Sequence, residues 1–181
     1  MRGRSLILAA VAALLCGAAP PVAFVSAGSE FDAATEEYRR IWAEEGASIA
    51  TALERNSGLN FPPNEIEALI SQAPPMMAYD GRTLRLRASY SPSYKRATLV
   101  HELGHRLSFL VPRTGELDDH RLLYLYLYDS WTDLYGEAFA MRMAGIESSI
   151  PGTYDYAAAW RWALSMTREE RQARLARLRG A

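Results

Sequence analysis

The chain contains 181 residues, with 20 Lys and Arg against 21 Asp and Glu, and it carries a single cysteine. The length allows one ordinary domain, or one domain with a targeting segment, and argues against two full domains. The balanced charge argues against a dedicated nucleic-acid-binding protein, and the 49% hydrophobic content argues against wholesale disorder. One cysteine cannot form an internal disulfide.

The N-terminal segment has the pattern of a signal peptide. Arg2 and Arg4 form a basic start, a nearly unbroken apolar run covers residues 6–19, and Val25-Ser26-Ala27 supplies small residues at a cleavage site. The run is short for a membrane span, which needs about 20 apolar residues. These features predict export.

Cleavage after Ala27 would divide the chain into a signal peptide, residues 1–27, and one domain, residues 28–181. The mature protein would lose two arginines and the only cysteine. We therefore expect a periplasmic or secreted protein without thiols. The alternative is a protein held at the membrane by an uncleaved segment, residues 5–27, which would be its only membrane contact.

Two helices are predicted in the first part of this domain. Apolar residues recur at three-to-four-residue spacing over residues 29–55, with Gly46 as a point where the helix can break, and Asn56-Ser57-Gly58 ends the pattern. Pro62-Pro63-Asn64 then opens a short helix that runs through Ile70.

A β-hairpin is predicted next. Asp80-Gly81 separates the run 76–79 from the run 83–88, and this dipeptide between apolar-containing runs favours a tight hairpin turn. Side chains alternate between the two faces of a strand. The residues expected to face inward are Leu84, Leu86 and Ala88, and those expected to face outward are Arg85 and Arg87.

The remaining chain is predicted to be helical. One helix begins near Ser91-Pro92 and ends before Pro112. The stretch 122–128 fits a strand or a buried helix, and Asp118-Asp119 before it favours the helix. Asp129-Ser130 can cap or kink a further helix, which is predicted to run through Glu137 to Met143 and to stop at Gly145. The last helices are predicted from Tyr154 to Ser165, and from Thr167, in a capping box with Glu170, to about Leu178.

The pattern that carries chemistry is His101-Glu102-Leu103-Gly104-His105, within the helix that begins at Ser91. Histidines at i and i+4 point to the same side of a helix and can bind one zinc ion. Glu102 lies beside the first histidine, where its carboxylate can take a proton from a zinc-bound water as general base. We therefore predict a catalytic zinc site.

A catalytic zinc needs a third protein ligand and an open position. His120 is the only other histidine, and its distance of fifteen residues from His105 is not a spacing typical of zinc peptidases. Other candidate ligands are Glu116, Asp118, Asp119, Asp129, Asp133 and Glu137. We favour Glu137, because it lies on a predicted second helix that can project a carboxylate towards the histidine pair. Asp133, four residues earlier, can orient an imidazole.

The HELGH motif followed by a helix containing Gly-Glu-Ala-Phe-Ala resembles the gluzincin metallopeptidases. The resemblance covers the motif and part of residues 76–145. It implies an α+β, mostly helical zincin-like domain in which residues 83–88 form the substrate-side edge strand. It also implies a Zn²⁺ cofactor, a peptide or protein substrate, Glu102 as base and Glu137 as third ligand. A hydrogen-bond donor for the oxyanion, His120 or a tyrosine, is implied as well.

The alternative function is a non-catalytic envelope protein that uses such a scaffold to bind a protein partner. The small size of the chain favours this interpretation, since few residues remain to build a substrate cleft. The glutamate within the motif argues against it, because a structural zinc site is closed by four protein ligands and needs no base. We therefore predict a zinc metallopeptidase that does not bind nucleic acid.

Overall fold

A four-stranded mixed sheet and six α-helices make up residues 19–180, the part of the chain that the computed structural model describes. The strands are β1 (Val22–Ser26), β2 (Ile66–Ser71), β3 (Met76–Met77) and β4 (Thr83–Arg87), in the order β1-β2-β4-β3. Strands β1, β2 and β4 are parallel, whereas β3 pairs antiparallel with β4. The predicted fold class, α+β and mostly helical, is confirmed.

The helices are α1 (Asp32–Ser57), α2 (Pro92–Ser108), α3 (Asp119–Tyr135), α4 (Glu137–Ser148), α5 (Tyr156–Leu164) and α6 (Arg168–Arg179). Helix α3 contacts all five of the others. Its run from Leu123 to Leu127 is buried without interruption, because neighbours surround the helix on most sides. Among the helices of residues 19–180, none combines the length and apolarity needed to cross a bilayer.

Several helix starts follow the predicted signals. The helix predicted from Asp129-Ser130 through Met143 is instead divided between α3 and α4 at Gly136, whose φ is 86°. Ser91 and Asp118 accept hydrogen bonds at the starts of α2 and α3, and Thr167 forms the predicted capping box. Helix α1 is not broken at Gly46. The absence of a side chain at Gly46 leaves room for the Trp42 ring, which lies 2.8 Å from the position of an added Cβ.

The segment predicted as a short helix up to Ile70 is instead the strand β2. Ile66, Ala68 and Ile70 are fully buried, and the residues between them are more exposed. This alternation has the two-residue period of a strand, and β2 is hydrogen-bonded to β1 on one side and β4 on the other. The helix prediction is wrong, because Pro62-Pro63-Asn64 leads through a bend into a strand and does not begin a helix.

The predicted hairpin is confirmed, with β3 and β4 as its arms. The Ala78 N–H donates to the Thr83 carbonyl oxygen at 2.9 Å, and Gly81 has a positive φ of 67° in the turn. The edge strand is β3, however, and not residues 83–88, since β4 lies between β2 and β3. The two-residue edge strand β3 contacts α2, the helix that carries the site described below.

The predicted signal segment lies partly outside the described residues, which begin at residue 19. Residues 22–26 form β1, in which Phe24 is buried and stacks on Tyr38 of α1. The Arg39 guanidinium donates to the Phe24 carbonyl oxygen at 2.7 Å. Cleavage after Ala27 stays a prediction, and it would remove this strand from the sheet.

Candidate metal centre

One face of α2 forms the floor of a cavity of about 800 Å³. Four of the five α2 residues that line the cavity follow one another at spacings of four, three and four: Tyr94, Thr98, His101 and His105. Residues at such spacings share one side of a helix. The helical period therefore places both motif histidines on the cavity floor.

The two motif histidines face each other through the same ring nitrogen. The His101 Nε2 and His105 Nε2 atoms are 3.1 Å apart, and both residues are buried. Two nitrogens bound to one tetrahedral zinc, each at 2.0–2.1 Å, are about 3.3 Å apart. The pair therefore has nearly the spacing that a shared metal ion requires.

His120 joins this pair from the first turn of α3. Its ring centroid lies 5.6 Å from that of His101 and 4.9 Å from that of His105. One candidate ligand atom from each of the three histidines can be chosen so that all lie within 4.8 Å of one another. Within residues 19–180, this is the group of histidine and acidic side chains arranged to hold a metal ion.

The favoured third ligand, Glu137, is not brought to this group. It is the first residue of α4 and is exposed, and it does not line the cavity. Asp133 is also elsewhere, since its carboxylate accepts hydrogen bonds from Arg55 and Arg168 at 2.8 and 2.7 Å. The last turn of α4, and not its first, approaches the histidines, and the third member of the group is His120.

Glu147, in that last turn of α4, orients the first histidine. Its Oε1 lies 2.7 Å from His101 Nδ1, and its Oε2 accepts hydrogen bonds from the Tyr124 hydroxyl at 2.9 Å and the Trp160 indole at 3.1 Å. A carboxylate on the second ring nitrogen fixes the tautomer and the orientation of a metal-binding imidazole. The contact leaves Nε2 of His101 directed at the other histidines.

Only a faint signal in the sequence pointed to Glu147. Gly145 suggested that the helix ends before it, but α4 continues to Ser148. Ala140, Met143 and Ala144 are buried and precede Glu147 by seven, four and three residues, so the glutamate lies on an apolar stripe. A lone acidic residue on such a stripe indicates a buried carboxylate with a specific partner.

Burial and neighbouring charge act differently on the three imidazoles. Burial opposes protonation of His101, but the Glu147 carboxylate outweighs it and raises the His101 pKa to about 9. Burial lowers the pKa of His105 well below its usual value and that of His120 to about 4. Neutral imidazole is the form that binds metals, so two of the three rings are ready as ligands at neutral pH.

Glu102 is buried beside the histidines and faces the same cavity. Burial raises the pKa of its carboxyl group to about 7, although His101 and a backbone hydrogen bond from Met77 of β3 act in the opposite direction. A carboxylate with a pKa near neutrality can both accept and release a proton. Glu102 is therefore suited to proton transfer at this site.

Aromatic side chains form much of the wall opposite the edge strand. Tyr154 and Tyr156 come from the segment before α5 and the start of α5, and their ring centroids lie 4.6 and 4.9 Å from that of His120. The Tyr154 hydroxyl donates to Asp118 at 2.6 Å. The Tyr156 hydroxyl makes no hydrogen bond within residues 19–180.

No protein-family model, no curated protein and no solved structure matches this chain. The similarity to gluzincins therefore rests on the HELGH motif and on the segment around Glu137, and the structure assigns Glu137 no part in the cluster.

Proposed function

We propose that the protein is a zinc-dependent hydrolase of peptide bonds, with His101, His105 and His120 as metal ligands and Glu102 as general base. The observation that carries the proposal is the convergence of three imidazoles beside a buried glutamate in an open cavity. Together with the predicted signal peptide, it suggests a peptidase that acts after export.

The ligand set fits zinc. Three neutral imidazoles are a known catalytic zinc arrangement, and imidazole nitrogens suit zinc and other late divalent metals better than magnesium or calcium. Three protein ligands beside a cavity leave a position for water, whereas a structural site is closed by four. When bound there, zinc supplies a water of lowered pKa and polarises a carbonyl oxygen.

Glu102 accepts and then transfers the proton during the reaction. As water attacks the carbonyl carbon of the scissile peptide bond, the carboxylate accepts one proton from the water. It then delivers this proton to the peptide nitrogen as the C–N bond breaks, so that the amine leaves and the base returns to its starting state. The backbone hydrogen bond from Met77 holds the carboxylate against the edge strand during both transfers.

Tyr156 is the best-placed donor to the carbonyl oxygen, which gains negative charge during the attack. Its hydroxyl is not engaged within residues 19–180, whereas those of Tyr124 and Tyr154 are held by Glu147 and Asp118. Burial and the charge of Glu147 raise the pKa of Tyr156, so the hydroxyl stays protonated and can donate. A single such donor typically contributes about 10²–10³ in rate.

The ligand assignment is tested by metal analysis of two variants. We expect His120→Ala to lose most of its bound zinc and the matched helix variant Glu137→Ala to keep about one ion per chain. Mass spectrometry of the folded proteins, or atomic absorption after dialysis, measures both. Full zinc in His120→Ala with loss in Glu137→Ala would return the third ligand to Glu137.

The catalytic assignment is tested with a peptide library, with and without a chelator. We expect Glu102→Gln to keep its zinc and to lose hydrolysis by about 10²–10⁴-fold, because only the proton acceptor is removed. Unchanged turnover in Glu102→Gln would exclude this mechanism. A wild-type protein that binds zinc but cleaves nothing would instead be the non-catalytic metal protein.

A further inference from the structure

Arg87, the last residue of β4, is the only Lys or Arg among the described residues that line the cavity. Its side chain makes no ion pair or hydrogen bond within residues 19–180. The guanidinium lies 5.8 Å from the ring centroid of Tyr90, which in turn lies 4.4 Å from that of Tyr94. A cation that lines a cavity without an acidic partner is available to an anionic ligand.

Backbone spacings along two elements indicate how far the Arg87 end of the cavity lies from the histidine end. Along the sheet, Met77 contacts Glu102 and pairs with Leu84, and Arg87 follows Leu84 by three strand residues, or about 10 Å. Along α2, Tyr94 precedes His101 by seven helix residues, again about 10 Å. Both spacings separate the Arg87 end of the cavity from the histidines by the same length.

The opposite end of the cavity carries no uncompensated charge. There Tyr79 packs against Phe109, which follows the C-terminus of α2, and its hydroxyl donates to Asp119 at 2.8 Å. Asp119 is paired with Arg113 at 3.0 Å. Its neighbour Asp118 is paired with Arg121 at 3.1 Å, so Arg87 makes the cavity positive at one end only.

We propose that Arg87 binds a carboxylate of the substrate and so determines which bond is cleaved. This inference rests on the proposed function, which it extends to a substrate class. A guanidinium binds a carboxylate through two parallel hydrogen bonds. An extended chain covers about 3.3–3.6 Å per residue, so a carboxylate about 10 Å from the metal centre lies about three residues from the scissile bond.

The carboxylate can belong to the C-terminus of a peptide or to an acidic side chain. Three forms of one peptide separate these sources: a free C-terminal acid, a C-terminal amide, and an amide with Glu about three residues after the cleaved bond. We expect the wild-type protein to cleave at least one carboxylate form with kcat/KM about tenfold or more above that of the plain amide. The form that is preferred identifies the source.

The variants are Arg87→Met and, as a matched control, Arg82→Met. Arg82 is exposed on the same hairpin and does not line the cavity. We expect the preference for the carboxylate form to vanish in Arg87→Met, to persist in part in Arg87→Lys and to be unchanged in Arg82→Met. Equal cleavage of all three peptides by the wild-type protein, or an unchanged preference in Arg87→Met, would overturn the proposal.

A binding measurement keeps this inference separate from the proposed function. Calorimetry with Glu102→Gln, loaded with zinc, compares the affinities of the three peptides without turnover. A preference for the carboxylate form that depends on Arg87 supports the site even if the wild-type protein cleaves no peptide, in which case only the proposed activity fails. Equal affinities for all three peptides would overturn the Arg87 proposal even where hydrolysis is observed.

Discussion

Two buried acid–base pairs illustrate how differently this protein uses charge in its interior. One is Glu147 with His101, whose side chains are 6% and 9% exposed, and the other is Asp129 with Arg171, at 5% and 6%. The two pairs are almost equally shielded from water. They differ in what the cationic partner does with its remaining polar atoms.

In the second pair, Asp129 with Arg171, the polar atoms of both side chains are hydrogen-bonded within the protein. Arg171 donates to both carboxylate oxygens of Asp129, at 2.5 and 3.2 Å, and to the carbonyl oxygen of Met166 at 2.6 Å, and it lies over the ring of Tyr128. Neither member lines the cavity. This network ties α6 to α3 and has no group left over for a ligand.

In the first pair, Glu147 with His101, one ring nitrogen of the histidine is not bound by the carboxylate. Both oxygens of Glu147 are satisfied, but His101 directs its other nitrogen at His105 and the cavity, and the Nδ1 atom of His105 is buried without a partner. The other buried side-chain polar atoms without a partner within residues 19–180 are arginine nitrogens, on Arg85, Arg106 and Arg174. The two pairs therefore differ not in burial but in the second ring nitrogen of His101, which faces the other histidines beside a carboxylate with both oxygens hydrogen-bonded.

The largest effect is expected from a substitution in the Asp129–Arg171 network, and it concerns the stability of the fold. Arg171→Met leaves the Asp129 carboxylate buried without a counter-charge, which typically destabilises a protein by about 3–5 kcal/mol. We expect this loss in chemical unfolding, with zinc binding by the folded protein unchanged. In the double variant Asp129→Leu with Arg171→Met, much of the stability should return. If Arg171→Met is as stable as the wild-type protein, Arg171 does not supply the counter-charge that the buried Asp129 requires.

A smaller effect, on metal affinity, is expected from a substitution in the Glu147–His101 pair. Glu147→Gln keeps the shape of the side chain but removes the charge that orients His101, and loss of such a contact typically weakens metal binding about 10- to 100-fold. Competition with a chromophoric chelator measures this affinity. Glu137→Gln, at the other end of the same helix, serves as the control and should bind zinc like the wild-type protein. Equal affinities in both variants would remove Glu147 from the site.

The smallest effect concerns pH and the metal-free protein. The folded state binds a proton at His101 with a pKa of about 9, whereas histidines in an unfolded chain titrate near 6.5. The resulting stabilisation is therefore complete below about pH 6.5 and is lost as pH rises through about 9. Between pH 7.5 and 9 we expect the free energy of unfolding to fall by about 1–2 kcal/mol.

Urea unfolding in the presence of a chelator measures this fall in the free energy of unfolding. We expect Glu147→Gln to abolish most of it. A fall of the same size in Glu147→Gln would assign the titration to a group outside the pair. Added zinc should suppress the effect in the wild-type protein, since metal binding requires the neutral imidazole.

Local patterns predicted most of the helical framework. Ser91, Asp118 and Thr167 are caps whose hydrogen bonds reach only three residues along the chain, so their neighbours alone suffice to recognise them. The strand β2 was missed for the opposite reason. Its partners β1 and β4 lie far apart in the sequence, and pairing with both is what makes residues 66–71 a strand.

The residues of the candidate site also fall into those set by local pattern and those set by long-range packing. The positions of His101 and His105 on one side of a helix, with Glu102 beside them, follow from the sequence, because the helical period acts over a single turn. The positions of His120 and Glu147 beside this pair follow from packing between helices that are distant in the sequence. Glu137 and Glu147 lie ten residues, or about 15 Å, apart on one helix, and the packing of α4 against α3 brings only the second to the histidines.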